Sequence, residues 1–215
     1  MLAFALVVLG ILAIVVVDEI LWRAKILKGE YNRKFVHISV GTFAAFWPWL
    51  LSWRQIQVLC LILLAGRVIN QIHTFVHDKA GIMRRTYGEY FFPIGIGLCA
   101  LLTTNKLFFA LAVLNMAIAD GLAAVIGERY GSHFRYQVFG YTKTIIGTMT
   151  FWLSALSILG IGLLFVSDSI RFTDYGIILL FLPPILTALD NFSLFGLDDM
   201  TVPVVALAVL QLVSA

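Results

Sequence analysis

The chain alternates apolar runs of membrane-spanning length with short polar connections, and that alternation limits what it can fold into. A bilayer core of ~30 Å takes ~20 helical residues to cross. A crossing segment must satisfy its own backbone, as a helix or within a closed barrel. Runs at 2–22, 35–52, 55–72, 90–104, 106–127, 144–166, 175–189 and 201–214 fit the helical solution, the fourth and the last two being short. The expectation is an all-α, polytopic integral membrane protein of about eight transmembrane helices, with residues 1–215 forming a single membrane-embedded domain. Hydrophobic residues make up 61% of the chain and charged residues 13%, which leaves no room for an ordinary soluble domain. The chain is apolar from Leu2 onward, with neither a basic n-region nor a small-residue cleavage site, so 2–22 is read as a retained span. Cys60 and Cys99 lie inside apolar runs and read as buried thiols, not a disulfide.

Loop charge sets the expected orientation. The connections after the first, third and fifth spans, with their flanking helix ends, hold 12 of the basic residues: Arg23, Lys25, Lys28, Arg33, Lys34, Arg67, Lys79, Arg84, Arg85, Arg129, Arg135 and Lys143. The other side holds 3, namely Arg54, Lys106 and Arg171. Basic loops stay in the cytoplasm, so both termini are expected outside, in a multi-pass protein of the cell membrane. The formal charge of +3 is too small and too scattered to argue for nucleic acid as a partner. Arg33, Lys34, His37, the 127–143 loop and the 190–199 loop then share one face, as a site for an anionic cytoplasmic substrate requires.

Several constellations carry chemistry. Asp120 lies within an apolar run, and a carboxylate at membrane depth is expensive enough to count as a functional candidate. Asp120, Ala124, Gly127 and Gly131 fall on one face at 3.6 residues per turn, where small residues admit a close helix or ligand. The alternative there is a packing seam. Asp190, Asp198 and Asp199 offer hard oxygen ligands of the kind Mg²⁺ takes, or simply an acidic turn. Arg33, Lys34 and His37 open the second span at spacings that let all three meet one ligand, although basic residues flank membrane helices everywhere. Arg84-Arg85-Thr86-Tyr87 reads first as an interfacial anchor, and His73 and His77 as polar residues on an interfacial helix. Glu19 and Arg23 are expected to form a local ion pair.

In order along the chain, these motifs resemble the CTP-dependent lipid alcohol kinases, a family that includes dolichol, phytol and farnesol kinases and the CTP-using diacylglycerol kinase. That family is related to the CDP-diacylglycerol synthases. Arg33-Lys34-x-x-His37 matches its opening motif, and Gly88-Glu89-Tyr90-Phe91-Phe92-Pro93 its Gly-x-x-aromatic-Phe-Pro segment. Asp120-Gly121-x-Ala123-x-x-x-Gly127-x-x-x-Gly131 matches the central motif, Lys143-Thr144-x-x-Gly147-Thr148 the Lys-Ser/Thr motif, and Gly196-Leu197-Asp198-Asp199-Met200-Thr201-Val202-Pro203 the last. Two departures stand out. Ile146 occupies the place of a usual Glu, and Asp199 that of a usual Asn, while Asp190 lies near a position where Glu is common.

The resemblance implies a membrane-embedded catalytic domain that moves the γ-phosphoryl group of CTP to a lipid alcohol (a polyprenol, a phytol-like isoprenoid alcohol or diacylglycerol) at the cytoplasmic face. It implies catalytic roles for Asp120, Lys143 and His37. Nucleotide binding would fall to Arg33, Lys34, Gly127, Gly131, Lys143, Thr144 and Gly147, and Mg²⁺ to Asp120, Asp190, Asp198 and Asp199. A phosphatidate cytidylyltransferase would use the same groups, and a small proton- or ion-coupled transporter is the rival from another class. The acceptor and the oligomeric state stay open at this level.

Overall fold

The computed structural model describes residues 2–73, 87–166 and 172–214. Helix α1 (Leu2–Arg23) is followed by α2 (Glu30–Ala45), the short α3 (Trp47–Leu50), α4 (Trp53–His73) and α5 (Gly88–Leu102). Next come α6 (Lys106–Leu114), a π-helical turn (Asn115–Ala119) and α7 (Asp120–Tyr130), which run on as one rod. A hairpin of β1 (Arg135–Val138) and β2 (Tyr141–Thr144) leads into α8 (Ile145–Leu163), and α9 (Phe172–Phe192) and α10 (Asp198–Ser214) complete the described chain.

Every expected apolar run carries helix, while the expected count of eight spans is not confirmed. Among the described residues, four helices are long and apolar enough to cross a membrane: Leu2–Arg23, Lys106–Tyr130, Ile145–Val166 and Asp174–Phe192. The other runs miss that length and hydropathy for local reasons. The run at 35–52 breaks at Phe46, where Pro48 starts a new turn. Helix α5 has 15 residues and α10 has 17. The length of α4 is interrupted by Arg54, Gln55, Gln57, Arg67 and Asn70. The all-α expectation holds, with one small hairpin whose strands pair antiparallel from Arg135–Thr144 to Val138–Tyr141. Its turn uses Phe139 (φ 48°) and Gly140 (φ 82°), the left-handed pair that a two-residue hairpin needs.

The rod Lys106–Tyr130 is the axis of the bundle: 61% of its most apolar window is buried, against 17% for α1. It packs on α2, α8 and α10, and Phe109, Phe151, Leu159, Leu182 and Leu207 fill the space between them. Helix α1 instead turns Leu6, Leu9, Leu12, Val16 and Ile20 outward, the lipid-facing pattern of a peripheral span, while Val7, Ile11 and Asp18 face inward. A π turn holds more residues than an α turn, so the wide turn at Asn115–Ala119 re-phases α7 relative to α6. Asp120 is the first residue after it and is buried. Cys60 and Cys99 are both free and buried, as their apolar surroundings lead one to expect.

Candidate active site

The site forms where α2, α7 and the start of α10 converge. Lys34 and His37, one turn apart on α2, both point inward. The Lys34 ammonium pairs with Asp120 Oδ2, and the two residues are 3% and 6% exposed. His37 Nε2 lies 3.2 Å from the same oxygen, 3.1 Å from the Met116 carbonyl oxygen and 3.6 Å from Asp199 Oδ1. Arg33 turns away from this pair toward Glu30, and its Nε donates to Oε2 over 3.0 Å. The two adjacent cations therefore serve different carboxylates.

The acidic residues come from two further helices. Asp190 lies in the last turn of α9, and Lys143 on β2 donates to its carbonyl oxygen (3.0 Å) and its Oδ2 (3.1 Å). Oxygens of Asp120, Asp190 and Asp198 lie within 4.8 Å of one another, and so do ligating atoms of His37, Asp120 and Asp199. Asp199 thus faces α2, away from the Asp190 side. Asp198 and Asp199 precede the apolar part of α10. Burial, followed by the charges of Asp120 and Asp190, pushes the Asp198 carboxyl up to about 6. Burial, partly opposed by His37 and reinforced by Asp198 and Asp120, pushes Asp199 up to about 7. Crowded, desolvated carboxylates of this kind disfavour their own ionisation and favour a nearby cation. The Asp120, Asp190 and Asp198 oxygens are a donor set suited to a hard divalent cation such as Mg²⁺.

Glycines set the close approaches. Gly196 has φ +87°, and a Cβ there would come within 2.6 Å of the Gly88 nitrogen. The same junction is tied by Tyr87 N–H donating to the Phe195 carbonyl over 2.7 Å. Gly95 lies so close to the backbone carbonyl of Asp199 that a methyl group would collide with it. The Gly88–Pro93 segment and the turn beyond it are therefore the seat of the α10 N-terminus. On the other flank, a Cβ at Gly127 would fall 2.7 Å from Thr144 Oγ1 and 3.0 Å from Gly147 Cα, which brings α7 against α8. Thr144 caps α8 by accepting from Gly147 N–H at 3.0 Å.

A cavity of about 630 Å³ opens over this arrangement. Asp120, Asp190, Asp198 and Asp199 line it, together with the basic residues Arg33, Lys34, Arg135 and Lys143. Ala124, Gly127, Thr144 and Gly147 line it too, but Gly131 does not; its backbone presses on the Thr144 side chain and contributes to packing. Ile146, in the place of the family's Glu, is not part of the wall, whereas Asp190 supplies a carboxylate there. Three participants were not singled out from the sequence. Glu30 pairs with Arg33. Asn32 donates to buried Asp18 over 3.2 Å. Tyr136 donates to Asn191 over 2.7 Å beneath the hairpin. Asp18 carried a usable signal, as an ionisable residue within an apolar run. Glu19 and Arg23 form the expected pair at 2.7 Å. Lys79, Arg84, Arg85, Arg171 and His77 lie outside the described residues, as does the side chain of His73.

Comparison with known proteins finds similarity to a phytol kinase of Synechocystis sp. (strain ATCC 27184 / PCC 6803 / Kazusa). The two are 32% identical over 196 residues, covering 89% of this chain and 82% of that protein. No family model and no solved structure matches the chain.

Proposed function

The chain belongs to the lipid alcohol kinase family, and from that premise we propose that it transfers the γ-phosphoryl group of CTP to an isoprenoid alcohol of the phytol type at the cytoplasmic membrane face. One observation carries the reading. Carboxylates and cations from α2, α7, β2, α9 and α10 converge on a single cavity of about 630 Å³, within the ~300–1,000 Å³ usual for small-molecule sites. Phosphoryl transfer asks a protein mainly for positioning and for neutralisation of charge. The cavity offers both.

Lys34, Lys143 and Arg33 line the cavity where phosphate oxygens would lie, the lysines as point charges and Arg33 with its fork held by Glu30. The α8 N-terminus, capped by Thr144, adds the positive end of its dipole to the same wall. Mg²⁺, held by Asp120, Asp190 and Asp198, would supply neutralisation of the phosphates. Asp199 and His37 stand at the edge of this cluster, where an acceptor hydroxyl has to arrive. In the transfer, the alcohol oxygen forms a bond to the γ-phosphorus and the bond from that phosphorus to the β,γ-bridging oxygen breaks. CDP leaves, and the hydroxyl proton passes to His37 or to a carboxylate beside it. The acceptor's tail remains in hydrocarbon.

The test uses purified protein in detergent with Mg²⁺, phytol, farnesol, a polyprenol, diacylglycerol and phosphatidate as acceptors, and CTP labelled separately at the α and γ phosphates. The expected outcome is γ label on an isoprenoid alcohol with release of CDP. Label from the α position with release of pyrophosphate would make the protein a cytidylyltransferase and refute the kinase reading.

A further inference from the structure

A second cavity, of about 320 Å³, lies beside the first along an adjacent face of α2. It is lined by α1, α2, α4 and α5 and touched by the start of α10, and its wall shares Arg33 and Asp199 with the first cavity. The two spaces meet at the charged end of α2, where His37 faces the second cavity and stands 3.2 Å from Asp120, which faces the first.

The second cavity is polar at one end and apolar at the other, and each of its walls agrees on which end is which. On α2 the lining begins with Arg33 and His37 and ends with Val40. On α1, which runs antiparallel to α2 (Asn32 meets Asp18, and Phe43 meets Gly10), it passes from Asp18 back to Val15 and Ile11. On α4 it passes from Asn70 and Arg67 back to Leu63, and on α5 from Glu89 to Phe92 and Pro93. Arg67 pairs with Glu89 across these last two helices, closing the polar end. At 1.5 Å per helical residue, seven residues from Arg33 to Val40 make the gradient about 10 Å long. The Phe92 ring sits tilted against His37, centroids 5.0 Å apart, at the boundary between the two halves.

A cavity polar at one end, apolar at the other and aligned with the spanning helices is complementary to an amphiphile, with a polar head at the shared wall and a hydrocarbon tail toward the membrane interior. A triphosphate does not fit that description, because the deep end offers no donor. We infer that this second cavity is the acceptor site: the hydroxyl of a long-chain alcohol lies between His37 and Asp199, and the first carbons of its chain run between Val40, Leu63 and Phe92 toward Ile11. Nucleotide and alcohol then approach Asp120 and His37 along adjacent faces of α2, each from its own cavity. The identity of the occupant as an alcohol rests on the kinase reading. The location does not.

Two experiments separate those dependencies. An isoprenoid alcohol carrying a diazirine several carbons along its chain and a clickable end is photolysed with the purified protein, and the labelled residues are mapped by mass spectrometry. Label on Ile11, Val15 or Leu63, competed by excess unmodified alcohol, is the expected result. Label confined to the lipid-facing residues Leu9 and Leu61, or to the walls of the first cavity, overturns the assignment even if the protein proves to be a kinase. Then Val40→Phe and Leu63→Trp, which fill the apolar end without touching the phosphate side, are expected to raise KM for the alcohol at least 10-fold with CTP binding unchanged. An unchanged alcohol KM in both variants overturns it as well. Absence of phosphate transfer by the wild-type protein would refute the kinase reading alone, because the photolabel still reports where the amphiphile sits.

Discussion

Replacing Lys34 by Met isolates the energetic centre of the site. The substitution preserves length and packing but leaves the Asp120 carboxylate, 6% exposed, without its ammonium partner. Removing one member of a buried ion pair costs ~3–5 kcal/mol. His37 Nε2 still stands 3.2 Å from the same oxygen, so a loss of about 3 kcal/mol, at the low end of that range, is expected. Asp120→Asn should cost less, about 1–2 kcal/mol, because the amide still accepts a hydrogen bond and Lys34 keeps the neighbouring charges of Asp198 and Asp199. The double variant buries neither charge and should cost about 2 kcal/mol, leaving a coupling of roughly 2–3 kcal/mol against the summed single losses. Reversible unfolding in mixed micelles, followed by far-UV circular dichroism as the denaturing detergent is titrated, gives the three differences. A coupling under about 0.5 kcal/mol would mean that the pair behaves as two independent, solvated charges. The claim that it organises the site would then be wrong.

Other outcomes follow from the same geometry. Asp120→Asn should lower turnover by ~10³-fold or more, since it removes charge at the point where phosphate charge is neutralised, while the protein stays folded; radiolabel transfer and circular dichroism check both halves. Gly127→Ala should separate α7 from α8, because its methyl group would meet Gly147 Cα at 3.0 Å. A loss of ~1–3 kcal/mol of stability, measured by the same titration, is expected, together with weaker nucleotide binding. The raised Asp198 and Asp199 carboxyls make the folded protein bind more protons than the unfolded chain between about pH 4 and 7. The metal-free protein should therefore lose stability as pH rises from 5 to 8, and millimolar Mg²⁺ should flatten that slope; thermal unfolding at fixed pH steps, with and without chelator, reads both.

The apolar runs and their lengths determined that the chain is a helical bundle in a membrane, because hydrocarbon leaves the backbone no partner outside the helix. The run lengths did not determine how many helices cross. Among the described residues four helices have the length and hydropathy to cross, and the break at Phe46 and Pro48 and the polar residues of α4 keep those two segments below it. Asp120 could be singled out from the sequence because a lone carboxylate in an apolar run is costly wherever it goes, and the Arg33-Lys34-x-x-His37 spacing marked a group of residues able to meet one ligand. Which cation met which carboxylate was decided by tertiary structure: Lys34 goes to Asp120, Arg33 to Glu30 and Lys143 to Asp190. Spacing along one helix cannot rank partners that arrive from another. The same limit applies to Gly131, which shares a helical face with Gly127 in sequence but meets Thr144 instead of the cavity. The second cavity is invisible in the sequence for a further reason. Its polar and apolar ends are assembled from four helices of alternating direction, and a gradient that reverses from one segment to the next has no signature along the chain.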